Sequence, residues 1–511
     1  MLTQKYLEEE LRKHFRYDSF RTGQREIISD ILQGKNVLGI LPTGSGKSLC
    51  YQLPALLLDG LTIVVSPLIS LMMDQVNELK AISYKRVATI NSFIGIEEKE
   101  FILQHLHRYK LLYISPELLQ QEKMLECLKR MKVSLFVVDE AHCISQWGHD
   151  FRPDYLKLGK IIEQLNHPPV LALSATAPPA VQEDIVRNLH LPQMVKHIHP
   201  MDRANLTFVV EHVASESEKY EQILTYLQKI SGPTLIYFSS RNQTEETAKI
   251  LAEKLPDVNI AFYHGGMEPM DRIHIQQQFM NGQIDVVCCT SAFGMGINKE
   301  DVRLVIHFHM PAEMEAYIQE VGRAGRDGNP SMCLLLYGPN DWHVPKTLIE
   351  NELPQAEEIR IVMEQLKRLA TQSAELPSKE WTGTIHEFFQ INETKWRFLR
   401  FHFEKHGMMK GKKIDYDEKQ WQAVYQHLVE WIRKRNIHKM QKLGEMVEWV
   451  NTVQCLREAL YNKFQSGYSQ PIFQCCSNCG IELDEWFSEE KPKRVKTELD
   501  WRLKLRKLLV E

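Results

Sequence analysis

Over the first two thirds of the chain, short runs of consecutive apolar and mostly β-branched residues alternate with longer segments whose apolar positions recur at helical spacing. The runs at 61–65, 111–114, 135–138 and 170–173 carry no polar face, which predicts strands buried on both sides in a parallel sheet covered by helices. A second set at 206–210, 234–238, 284–289 and 303–308 repeats the rhythm. The expected class is α/β: two tandem parallel-sheet domains over 1–205 and 206–342, followed by a mostly helical C-terminal region. There, helical stretches are expected at 357–369 and 442–464. They divide the region into a helical start (343–376), a basic insert (377–440), a helix with a cysteine-bearing subdomain (441–484) and a charged tail (485–511).

Each strand of the first set ends in a polar motif, and ligands of parallel sheets bind at the carboxyl ends of the strands. The first junction is Leu41-Pro42-Thr43-Gly44-Ser45-Gly46-Lys47-Ser48. Gly44 and Gly46 let the loop turn its amide N–H groups onto phosphate oxygens, and the positive end of the following helix adds to them. Thr43 and Ser45 complete the loop, Lys47 reaches the β and γ phosphates, and Ser48 offers its hydroxyl to Mg²⁺. Leu41 stands where the full pattern has glycine. Asp139-Glu140 supplies the second half of the chemistry: Asp139 for Mg²⁺, Glu140 as general base for an attacking water. Upstream, Tyr17, Arg21 and Gln24 offer an aromatic face, a guanidinium and an amide suited to a purine. ATP and Mg²⁺ are the ligands these motifs predict.

Together, Tyr17, Arg21 and Gln24, the run 42–55, Ser66-Pro67-Leu68-Ile69-Ser70-Leu71-Met72 and Asp139-Glu140-Ala141-His142 resemble the RecQ family of DNA helicases, within superfamily 2. The resemblance implies tandem RecA-like domains, ATP hydrolysis, 3′-to-5′ movement on single-stranded DNA, and action on branched or forked DNA in repair, recombination and replication. It makes Tyr17, Arg21 and Gln24 the adenine contacts. The segment 143–153 resembles the aromatic-rich loop that couples DNA contact to hydrolysis in that family. Here Trp147 and Phe151 offer flat faces to unstacked bases, and His149 and Arg152 offer donors. Ser66, Ser239 and Arg241 are further strand contacts the resemblance implies, and 290–298 is a loop between nucleotide and DNA. In Gln319-Glu320-Val321-Gly322-Arg323-Ala324-Gly325-Arg326 two arginines stand three apart, on one face if helical. The resemblance makes Arg323 and Arg326 the fingers delivered by the second domain to the γ-phosphate. A monomer working with single-strand-binding protein and other recombination proteins is the assembly it implies.

The stretch 442–457 resembles the helix that opens the family's zinc subdomain. Cys455, Cys476 and Cys479 then fall at Zn²⁺-ligand spacing, with Cys476-x-x-Cys479 as a knuckle. Glu482 occupies the position of the family's fourth cysteine, which leaves three outcomes: Cys475 as fourth ligand, Glu482 as fourth ligand, or a site weakened or lost, with the cysteines as reduced surface thiols. Between Ile391 and Lys442 there are 13 Lys/Arg against 6 Asp/Glu. Residues 384–389 and 393–403 read as helix-turn-helix and 408–414 as a short wing, directing Lys395, Trp396 and Arg397 at duplex DNA. The competing reading is a small helical packing domain with a solvated basic face. The family's own winged helix normally follows the zinc site, whereas this segment precedes the cysteines.

Composition narrows the picture. Across 511 residues the net charge is −4, from 62 basic and 66 acidic side chains, so a nucleic-acid surface has to be local. The cysteines outside the cluster lie scattered in apolar or motif segments, as reduced thiols do. No apolar run is long enough to span a bilayer and the first residues lack a signal core. A cytoplasmic, chromosome-associated protein without membrane contact is expected. Two other classes stay open: an RNA helicase or nucleic-acid remodelling ATPase, and a scaffold that holds ATP without hydrolysing it. The presence of Glu140, Arg323 and Arg326 together disfavours the scaffold.

Overall fold

The computed structural model describes residues 4–91, 93–145, 147–148, 151–293, 299–372, 389, 391–411, 413–465 and 467–486. The first lobe is built on strands β1 (Val37–Ile40), β2 (Leu61–Val65), β3 (Val87–Ile90), β4 (Leu111–Ile114), β5 (Val133–Val138), β6 (Val170–Ser174) and β7 (Val195–Ile198). They form one seven-stranded parallel sheet in the order β3-β4-β2-β5-β6-β1-β7. The second lobe carries β8 (Leu206–His212), β9 (Thr234–Tyr237), β10 (Ile260–Tyr263), β11 (Val286–Cys289), β12 (Leu304–His307) and β13 (Ser331–Tyr337). Its six parallel strands run β10-β11-β9-β12-β13-β8. Two tandem parallel-sheet lobes are thus present, and the loops that carry the motifs leave the carboxyl ends of the strands.

The strands that the apolar-run pattern passes over are β3, β7, β10 and β13, and for β13 and β7 the reason is physical. In β13 every residue is buried, but Met332 and the leucines lack a branch at Cβ and favour helix by themselves. At the sheet edge β7 alternates half-buried and exposed positions, so it never forms an apolar run. Only the parallel ladder against their neighbours makes these segments extended.

The C-terminal region departs further from expectation. A single 33-residue helix, Glu418–Val450, begins at Asp417, whose carboxylate caps the Gln420 N–H at 2.7 Å. The boundary expected at 440/441 falls inside this helix. No proline or glycine interrupts it before Gly444, and each of its halves has its own core. Trp421, Val424, Leu428 and Ile432 pack with Ile359, Val362 and Phe403 in a C-terminal module. Leu443, Met446, Trp449 and Val450 pack into the second lobe beside Phe208 and Tyr317. At about 1.5 Å per residue the helix spans roughly 50 Å, enough to join the two cores. No helix among the described residues is long and apolar enough to cross a membrane.

Within the insert, the helix Glu393–Lys405 is capped by Asn392 and followed by an antiparallel hairpin, Met409–Lys410 with Lys413–Ile414. Residues 384–388 lie outside the described residues. Lys395 and Trp396 do not face solvent as a DNA-reading surface requires. The Lys395 ammonium is buried against Glu358 at 2.7 and 2.8 Å, and Trp396 stacks on Phe389 with ring centroids 4.7 Å apart. Both positions fall on the helix face turned to the core, which leaves Arg397 exposed and ion-paired to Glu393 at 2.6 Å.

Beyond the short helix Leu456–Tyr461, the cysteine segment docks on the free edge of β8. Phe208 pairs with Cys476 in a parallel bridge, and its N–H donates to Cys475 O at 3.2 Å. Arg457, fully buried, donates to the Asp202 carboxylate and to the carbonyls of Arg203 and Leu206. Removing one partner of such a pair strands a charge in a low-dielectric interior. Asp202→Ala is therefore expected to cost about 3–5 kcal/mol of stability, read from urea denaturation midpoints. A change under about 1 kcal/mol would mean the pair is solvated.

Candidate active site

At the end of β1 the chain turns through 41–48 into the helix Leu49–Leu57. Gly44 and Gly46 adopt φ of +82° and +73°, conformations that side chains with a Cβ resist. A Cβ on Gly44 would also stand 2.9 Å from the Arg326 side chain, and one on Gly46 2.8 Å from Gln24 Nε2. The loop is braced from behind. Gln24 Nε2 donates to Ser45 O at 2.8 Å and Gly46 O at 3.0 Å, while Arg21 Nη1 donates to Gly44 O at 2.6 Å. Of the three expected adenine contacts, Tyr17 lies exposed at the cleft rim, and Arg21 and Gln24 support the loop. Inside it, the buried hydroxyls Thr43 Oγ1 and Ser45 Oγ have no hydrogen-bond partner among the described residues.

Lys47 sits in the floor of the cleft, where desolvation pushes its ammonium pKa down against the pull of Glu140 and Asp139. Opposite it, Asp139 follows β5. Burial and the neighbouring Glu140 push its carboxyl up to about 7, with Lys47 opposing. The Glu140 N–H donates to Asp139 Oδ1 at 3.0 Å and Ser66 Oγ to Oδ2 at 3.5 Å. Ser66 is only 1% exposed, so it braces Asp139 and does not reach a DNA strand. Glu140 itself holds a left-handed backbone with φ of +48°, a strained conformation of the kind stored at functional sites. His142 Nδ1 lies 3.3 Å from Glu140 Oε2 and 2.9 Å from Ser174 Oγ. His142 thus stands beside the paired acids while bonded to Ser174 at the end of β6, and sequence spacing gave it no role.

The second lobe closes the cleft. The helix Met314–Val321 stops before the two arginines, so Arg323 and Arg326 lie on a turn and not on one helical face. Arg203 Nη1 clamps that turn by donating to Gly322 O at 3.0 Å and Ala324 O at 2.7 Å. Gly325, at φ of +54°, lets it reverse. The resulting cleft encloses about 270 Å³ and is lined by Lys47, Asp139 and Glu140 from one lobe and Gln319, Arg323 and Arg326 from the other. Burial and the nearby Arg323 and Arg203 push the Arg326 guanidinium down to about 9. The lobes meet closely: a Cβ on Gly322 would stand 2.8 Å from Thr43 Cβ. Crowded cations, inward glycines and orphaned hydroxyls fit a polyphosphate, and the buried Asp139 carboxylate with Ser48 fits a divalent cation beside it.

Two further features lie away from the cleft. In the aromatic-rich segment Trp147 and Phe151 are half-buried, and both meet the long helix. Trp147 stands edge-on to His438 at 5.2 Å and Phe151 faces Trp431 at 6.1 Å, with the Arg435 guanidinium 5.4 Å from the Phe151 ring. Arg152 Nη1 donates to Pro67 O at 2.9 Å. His149 and residues 294–298 lie outside the described residues. On the second lobe the Ser239 N–H donates to His309 Nδ1 at 3.2 Å, and exposed Arg241 starts the helix Arg241–Lys254. The second feature is a set of thiols: Cys455, Cys475, Cys476 and Cys479 all lie within 4.8 Å of one another. Cys455 Sγ is 3.6 Å from Cys475 Sγ and 3.9 Å from Cys476 Sγ, too long for disulfides and close to the edge, about 3.8 Å, of a tetrahedron with Zn–S bonds of about 2.3 Å. Cys475 joins the other three in this cluster, and Glu482 does not.

Comparison with known proteins matches residues 21–185 to the DEAD/DEAH box helicase family and 218–328 to the helicase conserved C-terminal domain. The chain is 42% identical over 492 residues to the "Probable ATP-dependent DNA helicase RecS" of Bacillus subtilis (strain 168), covering 96% of this chain and 95% of that one. It is 44% identical over 349 residues to ATP-dependent DNA helicase RecQ of Haemophilus influenzae, covering 68% of this chain and 56% of that one. The likeness to RecS thus extends through the C-terminal region, whereas that to RecQ spans about half of RecQ. Among solved structures, the DUF1998 helicase MrfA bound to DNA superposes with a TM-score of 0.57 at 19% identity over 82% of this chain and 63% of that one, a likeness of fold.

A carboxyl that titrates near 7 holds a divalent cation only once it has lost its proton. Asp139 is protonated increasingly as pH falls through about 7. Mg²⁺-dependent nucleotide affinity is therefore expected to weaken by up to about tenfold per unit below that pH. Titrating a fluorescent nucleotide with Mg²⁺ at pH 6 and pH 8 checks this, and equal affinities would remove Asp139 from the metal site.

Proposed function

The chain belongs to the RecQ family of ATP-dependent DNA helicases, and on that premise we propose that ATP hydrolysis between its lobes drives 3′-to-5′ movement along single-stranded DNA and separates duplex and forked substrates. The observation that carries the proposal is the convergence of Lys47, Asp139 and Glu140 with Arg323 and Arg326 on one cleft between two sheets.

Lys47 and the amides of 43–48 bind the β and γ phosphates. Ser48 and Asp139 would hold Mg²⁺, which would supply charge neutralisation to the phosphates. Glu140 accepts a proton from the attacking water, and its backbone strain and contact to His142 fix where the carboxylate points. Arg323 and Arg326 stabilise the charge that spreads over the transferring phosphoryl oxygens. Once that anion leaves, Arg326 has less to hold it over Gly44, and the lobes part. Trp147 and Phe151 follow Asp139-Glu140 on the same segment, so their ring faces take up bases in step with the acids. The four cysteines would hold a structural Zn²⁺, which would secure the C-terminal segment to β8.

Lys47→Ala and Glu140→Gln are each expected to lower DNA-stimulated hydrolysis by about 100-fold or more. Forked and 3′-tailed duplexes are expected to unwind and 5′-tailed ones to persist, in a gel assay with ATP and Mg²⁺. Near-normal turnover in either variant would remove the site assignment, and unwinding from 5′ tails would reverse the polarity.

Trp147→Ala is expected to keep basal hydrolysis and lose most of its stimulation by single-stranded DNA, about 1–3 kcal/mol of base stacking being withdrawn. Stimulation equal to the parent's would take the loop out of the coupling path.

A further inference from the structure

We propose that His402, His406 and His427 form a second metal site, which takes Zn²⁺ and clamps the helix Glu393–Lys405 to the long helix Glu418–Val450. One ring nitrogen from each of the three lies within 4.8 Å of the other two. His402 and His406 stand four apart near the end of one helix and so share a face, and His427 answers them from the other helix. The hairpin between the two helices, entered through Gly407 at φ of +74°, is what brings the segments antiparallel.

The second observation is His402 itself. Its ring is 3% exposed, packed against Phe398 at 4.6 Å and edge-on to Trp431 at 5.4 Å. Neither ring nitrogen has a hydrogen-bond partner among the described residues, and His406 Nε2 is likewise without one. A buried imidazole serving only as packing would normally pair at least one nitrogen, as buried polar groups do. Here the free nitrogens converge on the same point as those of the neighbouring rings.

The donor chemistry selects the ion. No carboxylate joins the cluster among the described residues, and an all-imidazole set suits Zn²⁺ and its transition-metal neighbours over Mg²⁺ or Ca²⁺. Three histidines leave a fourth position for water on the exposed side of His427. The clamped helix also meets the first lobe: Glu404 lies 3.8 Å from the Lys157 ammonium, which sits 5.8 Å from the Phe401 ring. The ion thus fixes the module that backs the aromatic-rich loop.

The test uses tag-free full-length protein and counts bound metal by mass spectrometry after Zn²⁺ loading and desalting. His427→Gln changes an exposed side chain and should fold; it is expected to lose about one equivalent of Zn²⁺ per chain relative to the parent. His402→Phe should lose the same equivalent, and His427→Gln placed on a Cys475→Ser background should lose one equivalent more than Cys475→Ser alone. With Co²⁺, the equivalent lost in His427→Gln should show visible d–d absorption without a thiolate charge-transfer band. Unchanged stoichiometry in both histidine variants, or binding so weak that desalting strips it from the parent, overturns the proposal. If the cysteines hold no metal, the parent still carries one equivalent that His427→Gln removes, so failure of the cysteine site is distinguishable from failure of this one.

Discussion

Charge buried between two sheets is the constraint on which the rest of the molecule depends. Lys47, Asp139, Glu140, Arg323 and Arg326 share one cleft, and each would be better solvated in water. Desolvation already lowers the proton affinity of Lys47 and Arg326 and raises that of Asp139. An arrangement of that kind is tolerable because a polyanion with its cation compensates it, and it responds sharply when that compensation is withdrawn. The glycines make the cleft narrow enough to matter. Gly44 admits Arg326 and Gly322 admits Thr43, so the lobes approach closely around the charged side chains.

From that cleft the influence spreads along covalent and packed connections that can be traced. Asp139 and Glu140 continue into the buried turn Ala141–Ile144 and then the aromatic-rich segment, which rests on the long helix through His438 and Trp431. The same helix reaches the second lobe through Leu443, Met446 and Trp449. One continuous helix therefore touches both the aromatic-rich loop of the first lobe and the core of the second.

The C-terminal module gives that helix its anchorage. Its apolar core, the proposed His cluster and the cysteine segment on β8 hold it at different points along its length. The basic residues of the insert are largely engaged in local ion pairs such as Arg397–Glu393, Arg400–Glu404 and Arg433–Glu430. Their excess charge thus reflects a solvated helical surface at least as much as a nucleic-acid face.

By itself the sequence determined the two parallel-sheet lobes, the phosphate loop and the paired acids, because apolar runs, glycines at tight turns and adjacent carboxylates are local in the chain and impose their geometry locally. It also marked Arg323 and Arg326 as partners of Lys47, though as a helical face where they form a turn. Tertiary structure decided the rest. Ser66 became a brace for Asp139 once β2 and β5 lay side by side, and Lys395 and Trp396 turned inward because the helix that carries them had a core to cover. The joining of Cys475 to its neighbours, and of His427 to His402 and His406, rests on contacts between segments 20 or more residues apart. No local pattern encodes such contacts, since they exist only when separate elements bury their apolar faces together.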